Sequence, residues 1–287
     1  MLTQNQIEMY QQSGFLAIEG VFSPDLMARV REVVEQFVEQ SRTVTDHTDV
    51  YDLEPGHSPE TPRVRRLKNT ITIHPVFEEV ARSDRLLDIV ACLIGPEIRL
   101  HGSKLNMKAA EYGSPVQWHQ DFAFYPHTND DLLAVGIALD DCLQENGCML
   151  MEPGSHLGPI LDHHQDGVFV GAINPAHEGL DLSRALPVPV HAGGITIHHC
   201  RTLHGSAQNR SNRMRRLFLL ELAAVDAFPV LGVPDLDAFN ARIWRGQPTS
   251  TYRVKQMDIR LPLPKHPRAG SIYEIQTPLR HRSFEQV

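Results

Sequence analysis

The chain has 287 residues, of which 41% are hydrophobic and 22% charged, and its formal net charge is −8. This composition is typical of a globular protein with a sizeable core. An acidic chain without a long basic tract gives no support to nucleic-acid binding. The four cysteines lack a Cys-x-x-Cys spacing and are expected to be buried thiols in a reducing compartment. Without a signal-peptide pattern or a membrane-length apolar run, we expect a cytoplasmic protein that makes no membrane contact.

The first third of the chain is predicted to be mostly helical. A first helix should begin at the capping box Thr3-x-x-Gln6 and end at Gly14, and a short strand should follow over 15–18. A second helix should begin at Ser23-Pro24-Asp25, and the apolar spacing over 75–94 is also helical. Leu26, Val30, Val33 and Phe37 recur at helical spacing and should face the core. The polar segment 42–62 contains three prolines and is predicted to be a loop, either a lid over the site or a solvated connection.

After Pro96 the pattern changes to short strands separated by turn residues. The candidates are residues 98–107, 134–139, 148–151, 188–190, 195–198 and 217–225. Helices followed by many short strands predict a helical layer packed on a jelly-roll core. We therefore expect a mainly β fold in a single domain, 1–287, with helices over about 1–95, a barrel over about 96–226 and an irregular C-terminal segment over 227–287.

Two histidines and one aspartate are the strongest functional signal. His119-Gln120-Asp121 is followed 85 residues later by His204. Two imidazoles and one carboxylate on one face of a metal, with the other positions open, form the ligand set of non-haem Fe(II) oxygenases. Residues i and i+2 of a strand point to the same side, so Gln117, His119 and Asp121 should face one interior. The third ligand must then come from a neighbouring strand.

An arginine eleven residues after His204 suits an anionic co-substrate. The guanidinium group of Arg215 can bind a carboxylate through two parallel hydrogen bonds. Arg213 alternates with Arg215 and is the nearest alternative. The adjacent pair His198-His199 looks like a metal pair, but neighbouring strand residues face opposite sides, so at most one of them lines the barrel and neither is expected to be a ligand.

Ordered short motifs between about Gly14 and about Ala224 resemble the phytanoyl-CoA dioxygenase family of Fe(II)- and 2-oxoglutarate-dependent oxygenases. These motifs are Ser13-Gly14-Phe15, Leu93-Ile94-Gly95-Pro96, Leu105-Asn106-Met107-Lys108, His119-Gln120-Asp121, Glu145-Asn146-Gly147-Cys148, Pro153-Gly154-Ser155-His156 and His204-Gly205-Ser206-x-Gln208-Asn209. The resemblance implies a double-stranded β-helix that holds Fe(II) through His119, Asp121 and His204, with 2-oxoglutarate and O₂ as co-substrates.

The same resemblance implies a co-substrate site. Arg215 would pair with the distal carboxylate of 2-oxoglutarate with help from the Ser206 hydroxyl, and Lys104 and Arg66 match positions that contact the co-substrate in some members. A tryptophan of several relatives corresponds to a position at or near Gly136, so we expect more room in the pocket wall here. Related halogenases replace the carboxylate ligand by a small residue, and the presence of Asp121 therefore argues against halogenation.

The substrate pocket is expected beside the strand that carries the first two ligands. Its predicted lining is Phe122, Phe124, Tyr125 and Asn106. Lys108 is predicted to be a surface lysine, and His156, His163 and His164 are predicted to be turn or surface residues.

These signals together predict a dioxygenase that uses Fe(II), 2-oxoglutarate and O₂ to hydroxylate an unactivated C–H bond of a small molecule, releasing succinate and CO₂. One alternative is a cupin-type metalloenzyme without 2-oxoglutarate, which would carry extra histidines and would not need Arg215. Another is a non-catalytic small-molecule-binding barrel, which would be expected to lose a metal ligand. No motif selects one substrate or an oligomeric state, although the acidic balance disfavours a coenzyme A ester.

Overall fold

The computed structural model describes residues 1–265 and 271–285. The α-helices in this part of the chain are α1 (Gln4–Ser13), α2 (Pro24–Gln40), α3 (Thr70–Ile73), α4 (Pro75–Ala81), α5 (Asp84–Ile94), α6 (Leu236–Asn240) and α7 (Ile272–Ile275). The strands are β1 (Phe15–Ile18), β2 (Tyr51–Leu53), β3 (Val64–Lys68), β4 (Ile98–Lys108), β5 (Val116–His119), β6 (Leu132–Ala138), β7 (Met149–Met151), β8 (His164–Gln165), β9 (Val168–Phe169), β10 (Leu186–Val188), β11 (Ile195–His199), β12 (His204–Ser206), β13 (Arg215–Ala224) and β14 (Ile243–Arg245).

Two antiparallel sheets build the body of the molecule. The large sheet has the order β1-β11-β6-β13-β4-β3-β2, with β14 paired to β4, and the small sheet has the order β10-β7-β12-β5. A cavity lies between them, because side chains of both sheets line it. Two strands of the predicted helical layer, β2 and β3, extend the large sheet, and β1 pairs with β11 at its other edge.

Alternating side chains of the large sheet separate the hydrophobic core from the cavity. On β13, Phe218 and Leu220 point into the core that the helices cover, while Leu217, Leu219 and Glu221 line the cavity. The other long strands repeat this division. Outward residues such as Leu105 and Val135 are apolar, whereas the inward ones include Lys104, Asn106 and Ala134. Because side chains alternate along each strand, the sheet has one apolar face in the core and one face that lines the cavity.

The helix signals are confirmed at most ends, with one break that the pattern did not indicate. Thr3 caps α1 in a capping box, and Gly14 ends it in the left-handed conformation at φ 85°. The pattern over 75–94 forms two helices, because Arg82 leaves the helical conformation and Ser83 is the extended N-cap of α5. The predicted core face of α2 is confirmed, because Leu26, Val33 and Phe37 pack against the core around the fully buried Met27, Val30 and Val34.

The segment 42–62 is not wholly a loop. Tyr51–Leu53 forms the edge strand β2, and the buried Asp52 lies 3.4 Å from the Lys68 ammonium group on the neighbouring strand. The His57 ring hydrogen-bonds the backbone carbonyls of Ser41 and Val44 and ties the turn to the end of α2. The prediction of an irregular connection is therefore wrong for β2, whose polar and proline-flanked sequence concealed a paired strand.

Three of the four free cysteines, Cys142, Cys148 and Cys200, are buried, and Cys92 is half-buried. In residues 1–265 and 271–285, no helix is long and apolar enough to cross a membrane.

Candidate metal centre and co-substrate pocket

The three predicted metal ligands converge on one point in the cavity. One ligand atom from each of His119, Asp121 and His204 lies within 4.8 Å of the other two, and all three residues are buried. The Nε2 atoms of His119 and His204 lie 3.6 and 3.9 Å from Asp121 Oδ1. This spacing leaves room for one metal ion among the three atoms. The donor set is the facial triad that holds Fe(II) in non-haem oxygenases.

The small sheet brings the two histidines together. His119 is the last residue of β5, and His204, the first residue of β12, is its direct cross-strand partner. Asp121 does not continue the strand. It begins a 3₁₀ turn, Asp121–Ala123, that bends its carboxylate toward the histidines. Gln117 was expected to share the same interior but instead hydrogen-bonds the backbone of Ser283 and Phe284, because it faces the C-terminal segment.

The hydrogen bonds of the two histidines fix which nitrogen faces the metal position. Nδ1 of His119 lies 2.8 Å from the Gln117 carbonyl oxygen, and Nδ1 of His204 lies 2.9 Å from the Thr202 carbonyl oxygen. A ring nitrogen that faces a carbonyl oxygen must carry the proton, so Nε2 of each ring has a free lone pair. Two lone pairs and a carboxylate oxygen facing one another are suited to a cation.

The charge states of the site agree with metal binding. Burial lowers the pKa of His204 well below its ordinary value, and repulsion from the imidazoles of His119 and His198 lowers it further. Burial alone would raise the pKa of Asp121, but the neighbouring rings of His119 and His198 outweigh it and hold that pKa well below its usual range. The site therefore presents the neutral imidazole of His204 beside the ionised carboxylate of Asp121.

A buried histidine supports the turn between the first two ligands. His163 Nε2 accepts a hydrogen bond from the Gln120 backbone N–H at 2.8 Å, and burial lowers the pKa of His163 to about 3. The Gln120 side chain in turn binds the backbone of Pro159, Leu161 and Arg201. His163 and His156 were predicted to be turn or surface residues; His156 does lie in a 3₁₀ turn, Ser155–Leu157, but both side chains are buried.

Arg215 reaches the same cavity from β13. Its side chain is buried, and one guanidinium nitrogen, Nη2, donates to the Gly147 carbonyl oxygen at 3.2 Å. Its Nε has no hydrogen-bond partner among the described residues. A buried donor without a partner is costly, and a bound carboxylate would satisfy it. Arg213 instead pairs with Glu145 at the exposed surface and does not line the cavity.

Arg66 and Ser206 stand beside Arg215 in the cavity wall. Arg66 Nε donates to Asn106 Oδ1 at 3.0 Å, and the ring of Tyr273 on α7 lies 5.3 Å from the Arg66 guanidinium carbon. Arg66 Nη2 is a second buried donor that lacks a partner within residues 1–265 and 271–285. The cavity thus offers one unpartnered guanidinium N–H group on each of Arg66 and Arg215, together with a hydroxyl, and these donors suit a carboxylate.

Lys104 also lines the cavity, but it is engaged by a carboxylate. Its ammonium group lies 2.6 Å from Glu221 Oε1, an ion pair that no sequence motif indicated. Glu221 and His198 are both cross-strand partners of Ala134, which places this ion pair on the metal side of the cavity. Arg215 lies six residues from Glu221 on β13, or about 20 Å along the strand. Lys104 and Arg215 therefore serve different parts of the cavity.

Gly136 does not widen the pocket as expected. A Cβ atom at position 136 would lie 2.7 Å from Thr196 Oγ1 and 3.1 Å from a methyl group of Leu217. Leu217 lines the cavity and fills the space in front of the glycine. The expectation of more room is wrong because a neighbouring strand supplies the missing bulk.

The aromatic residues after the ligand strand lie outside the cavity wall. Phe122 is fully buried in a separate core cluster with Leu132 and Cys200, so its proposed contact with substrate is corrected to a packing role. The Phe124 ring packs edge-on against the metal ligand His119 at a centroid distance of 5.7 Å, and Tyr125 lies between the His101 ring, at 4.4 Å, and the carboxylate of Asp121. Of the four predicted substrate residues, Asn106 alone lines the cavity, where its side-chain oxygen accepts from Arg66.

The expectation that Lys108 is a surface lysine is wrong. The side chain is fully buried rather than exposed, and its ammonium group donates to the backbone carbonyls of Ser206 and Ala207. Burial, followed by repulsion from Arg215, lowers the pKa of Lys108 well below its ordinary value. This lysine therefore anchors the end of β12 next to the arginine.

A facial triad beside a buried arginine, between two antiparallel sheets, is the arrangement of a non-haem Fe(II) oxygenase with a double-stranded β-helix. The chain belongs to the phytanoyl-CoA dioxygenase (PhyH) family, whose sequence profile matches residues 10–217. It is an Fe(II)- and 2-oxoglutarate-dependent dioxygenase, as the motifs predicted, with the triad His119, Asp121 and His204 as its metal site.

Relatives of known name span most of the chain. It is 35% identical over 288 residues to the "Probable alpha-ketoglutarate-dependent hypophosphite dioxygenase" of Stutzerimonas stutzeri, covering 99% of this chain and 100% of that one. It is 27% identical to the "Ectoine dioxygenase" of Bordetella parapertussis, covering 73% and 71% of the two chains. The crystal structure of EctD from S. alaskensis with bound Fe superposes with a TM-score of 0.68 at 22% identity, covering 88% and 87%. That likeness confirms the predicted jelly-roll fold.

Proposed function

We propose that this dioxygenase transfers one oxygen atom of O₂ to a small anionic substrate by hydroxylating an unactivated C–H bond. The observation that carries the proposal is the charge of the cavity. Arg66, Lys104 and Arg215 line it together with the carboxylates of Asp121 and Glu221, which leaves one net positive charge. Bound Fe(II) and the 2-oxoglutarate dianion cancel each other, so a monoanion is the substrate that neutralises the site.

The size of the cavity supports a small substrate. Its empty volume is about 570 Å³, including the space at its mouth, and both co-substrate and substrate must share it. A coenzyme A ester would have to leave most of its length outside. Fe(II) with 2-oxoglutarate and O₂ supplies the oxidising chemistry, in which one oxygen atom goes to succinate and the other to the substrate, with release of CO₂.

The side chains of the cavity divide this work. We assign Arg215, Ser206 and Arg66 to the distal carboxylate of 2-oxoglutarate, because all three line the cavity and both arginines keep a buried N–H group without a partner among the described residues. Lys104, on the metal side, is the cation that would meet the anionic substrate, and Glu221 fixes its ammonium group. Ala134, Leu219 and Met149 form the apolar wall that limits water near the metal.

A second candidate reaction is oxidation of the P–H bond of hypophosphite to phosphite. The relative named as a hypophosphite dioxygenase favours it, because the similarity extends over the whole length of both chains. Hypophosphite is itself a small monoanion, so both candidates satisfy the charge argument.

A substrate screen tests the proposal. The enzyme is supplied with Fe(II), 2-oxoglutarate and air, and succinate is measured with hypophosphite, short alkylphosphonates, short carboxylates, ectoine and a coenzyme A ester. We expect stimulation by one of the small anions, with phosphite as product in one case and a hydroxylated carbon in the other. Stimulation by ectoine or the coenzyme A ester alone would contradict the proposed substrate class.

A further inference from the structure

A third histidine lines the cavity next to the two histidine ligands. His198 lies on β11 and is almost fully buried, and its Nε2 atom lies 3.2 Å from Asp121 Oδ2. Its ring centroid is 4.2 Å from that of His204. The other carboxylate oxygen, Oδ1, faces the Nε2 atoms of His119 and His204. The two oxygens of Asp121 therefore have different partners.

The direction of the hydrogen bond follows from the chemistry of the carboxylate. A carboxylate that binds a metal cation has no proton to give, so His198 Nε2 must be the donor to Oδ2. The remaining ring nitrogen, Nδ1, then carries a lone pair, and it is buried without a hydrogen-bond partner among the described residues. A nitrogen that donates to Oδ2 is not free to bind the metal, which separates His198 from the three ligands.

We propose that His198 is a positioning residue that keeps Asp121 a one-oxygen metal ligand. When Oδ2 is hydrogen-bonded to His198, the carboxylate cannot turn to bind the metal through both oxygens. This restraint is relevant to the reaction, because a facial triad must leave three metal positions free and 2-oxoglutarate with O₂ needs all of them. The inference rests on the metal site and is independent of the substrate's identity.

The fold supplies the rigidity that such a role requires. His198 pairs with Phe15 on one side and Ala134 on the other, so its backbone is held within the large sheet. The adjacent residues Ile197 and His199 point to the opposite face, where Ile197 is part of the core. The small side chain of Ala134 leaves space for the imidazole to reach across the cavity to the turn that carries Asp121.

The test compares four variants by anaerobic titration with Co(II) and by the visible absorption of the bound metal before and after addition of 2-oxoglutarate. His198→Leu removes the donor, and His198→Gln keeps an N–H close to the position of Nε2. His198→Asn also keeps an amide but is one bond too short to reach Oδ2. His191→Gln is the matched control, because His191 is exposed and pairs with Glu19 far from the metal.

We expect His198→Leu and His198→Asn to bind Co(II) about 10- to 100-fold more weakly, the usual effect of losing the partner of a metal ligand. Their absorption on addition of 2-oxoglutarate should also differ from that of the parent protein. His198→Gln should restore both properties, and His191→Gln should leave them unchanged.

The proposal is overturned if His198→Leu keeps the affinity and spectrum of the parent protein, or if His198→Gln binds Co(II) as weakly as His198→Asn does. If His198→Leu does not fold, the Gln–Asn comparison decides. No prime substrate is needed, so failure of the proposed substrate class cannot be mistaken for failure of this inference.

Discussion

At the residue scale, the two histidine ligands and Arg215 each have one hydrogen-bond partner and keep one nitrogen available. The Nδ1 atoms of His119 and His204 are bound to backbone carbonyls, which leaves Nε2 for the metal. Arg215 uses Nη2 to bind Gly147 and keeps Nε free. Orientation by a backbone carbonyl is therefore common to the two histidine ligands and Arg215.

Replacement of Arg215 by alanine should raise the KM for 2-oxoglutarate much more than that for the prime substrate. A charge-assisted hydrogen bond contributes about 1.5–3 kcal/mol, which corresponds to about a tenfold to hundredfold change in affinity. Initial rates at varied 2-oxoglutarate provide the measurement. Arg213→Ala is the matched control, since Arg213 pairs with Glu145 at the surface and should leave the KM unchanged. An equal effect of the two variants would refute the assignment of the clamp.

At the element scale, part of the fold followed from the sequence and part depended on contacts between distant segments. The capping box of α1 and the inner strands β4, β6, β11 and β13 were predicted nearly to their ends, because local caps and apolar alternation encode them. The edge strand β2 was missed, since its buried Asp52 is compatible with a strand only when Lys68 and Arg66 lie beside it.

The residues of the site likewise divide into those that local sequence motifs predicted and those that depend on contacts between distant segments. The triad and Arg215 were predicted from their spacing in the sequence. Two other features of the cavity were not predicted, because they depend on contacts between residues far apart in the chain. They are the position of Ile272 of α7 in the cavity wall and the ion pair between Lys104 and Glu221. His198 was recognised as one of a pair, yet its contact with Asp121 depends on the register of β11. The aromatic residues after Asp121 were misplaced because the strand ends at His119 and the 3₁₀ turn redirects them.

The short helix α7 should contribute to co-substrate binding through Tyr273. Its ring contacts the guanidinium groups of Arg65 and Arg66 at 4.6 and 5.3 Å. Loss of such a cation–π contact costs about 0.5–2 kcal/mol, so Tyr273→Leu should raise the KM for 2-oxoglutarate by about two- to thirtyfold. Tyr273→Phe keeps the ring and should behave as the parent enzyme in the same assay. If both variants have the parent KM, α7 does not support Arg66.

Part of the segment 42–62 is expected to close over the site when ligands bind. Its stretch 45–49 is exposed, whereas β2 is paired and should stay in place. Limited proteolysis under anaerobic conditions, with and without Fe(II), 2-oxoglutarate and substrate, should show slower cleavage around 45–49 in the liganded protein. Equal cleavage rates in both states would argue against a lid.

At the scale of the whole molecule, the metal joins segments that are far apart in the chain. His119 ends β5, Asp121 follows in the 3₁₀ turn, and His204 begins β12, so a bound ion links two strands of the small sheet. A ligand that binds only the folded state at 100 times its Kd adds about 2.7 kcal/mol to the free energy of unfolding.

Addition of Fe(II) to the metal-free protein should therefore raise Tm by about 5–10 °C, given about 2–4 °C per kcal/mol for domains of this order of size. Anaerobic thermal unfolding, followed by circular dichroism, provides the measurement. Asp121→Ala should show little increase at the same metal concentration. A Tm of the parent protein that does not respond to the metal would mean that the triad does not bind it.

The most direct test of the metal assignment is succinate formation from 2-oxoglutarate under air, in the parent enzyme and in His119→Ala, Asp121→Ala and His204→Ala. A three-ligand site has no spare ligand, so each variant should lose iron and form no succinate above background, while its circular dichroism spectrum stays that of the parent. His191→Ala, which removes an exposed histidine, should keep full activity and iron content. Succinate formation and iron content at parental levels in all three ligand variants would contradict the account.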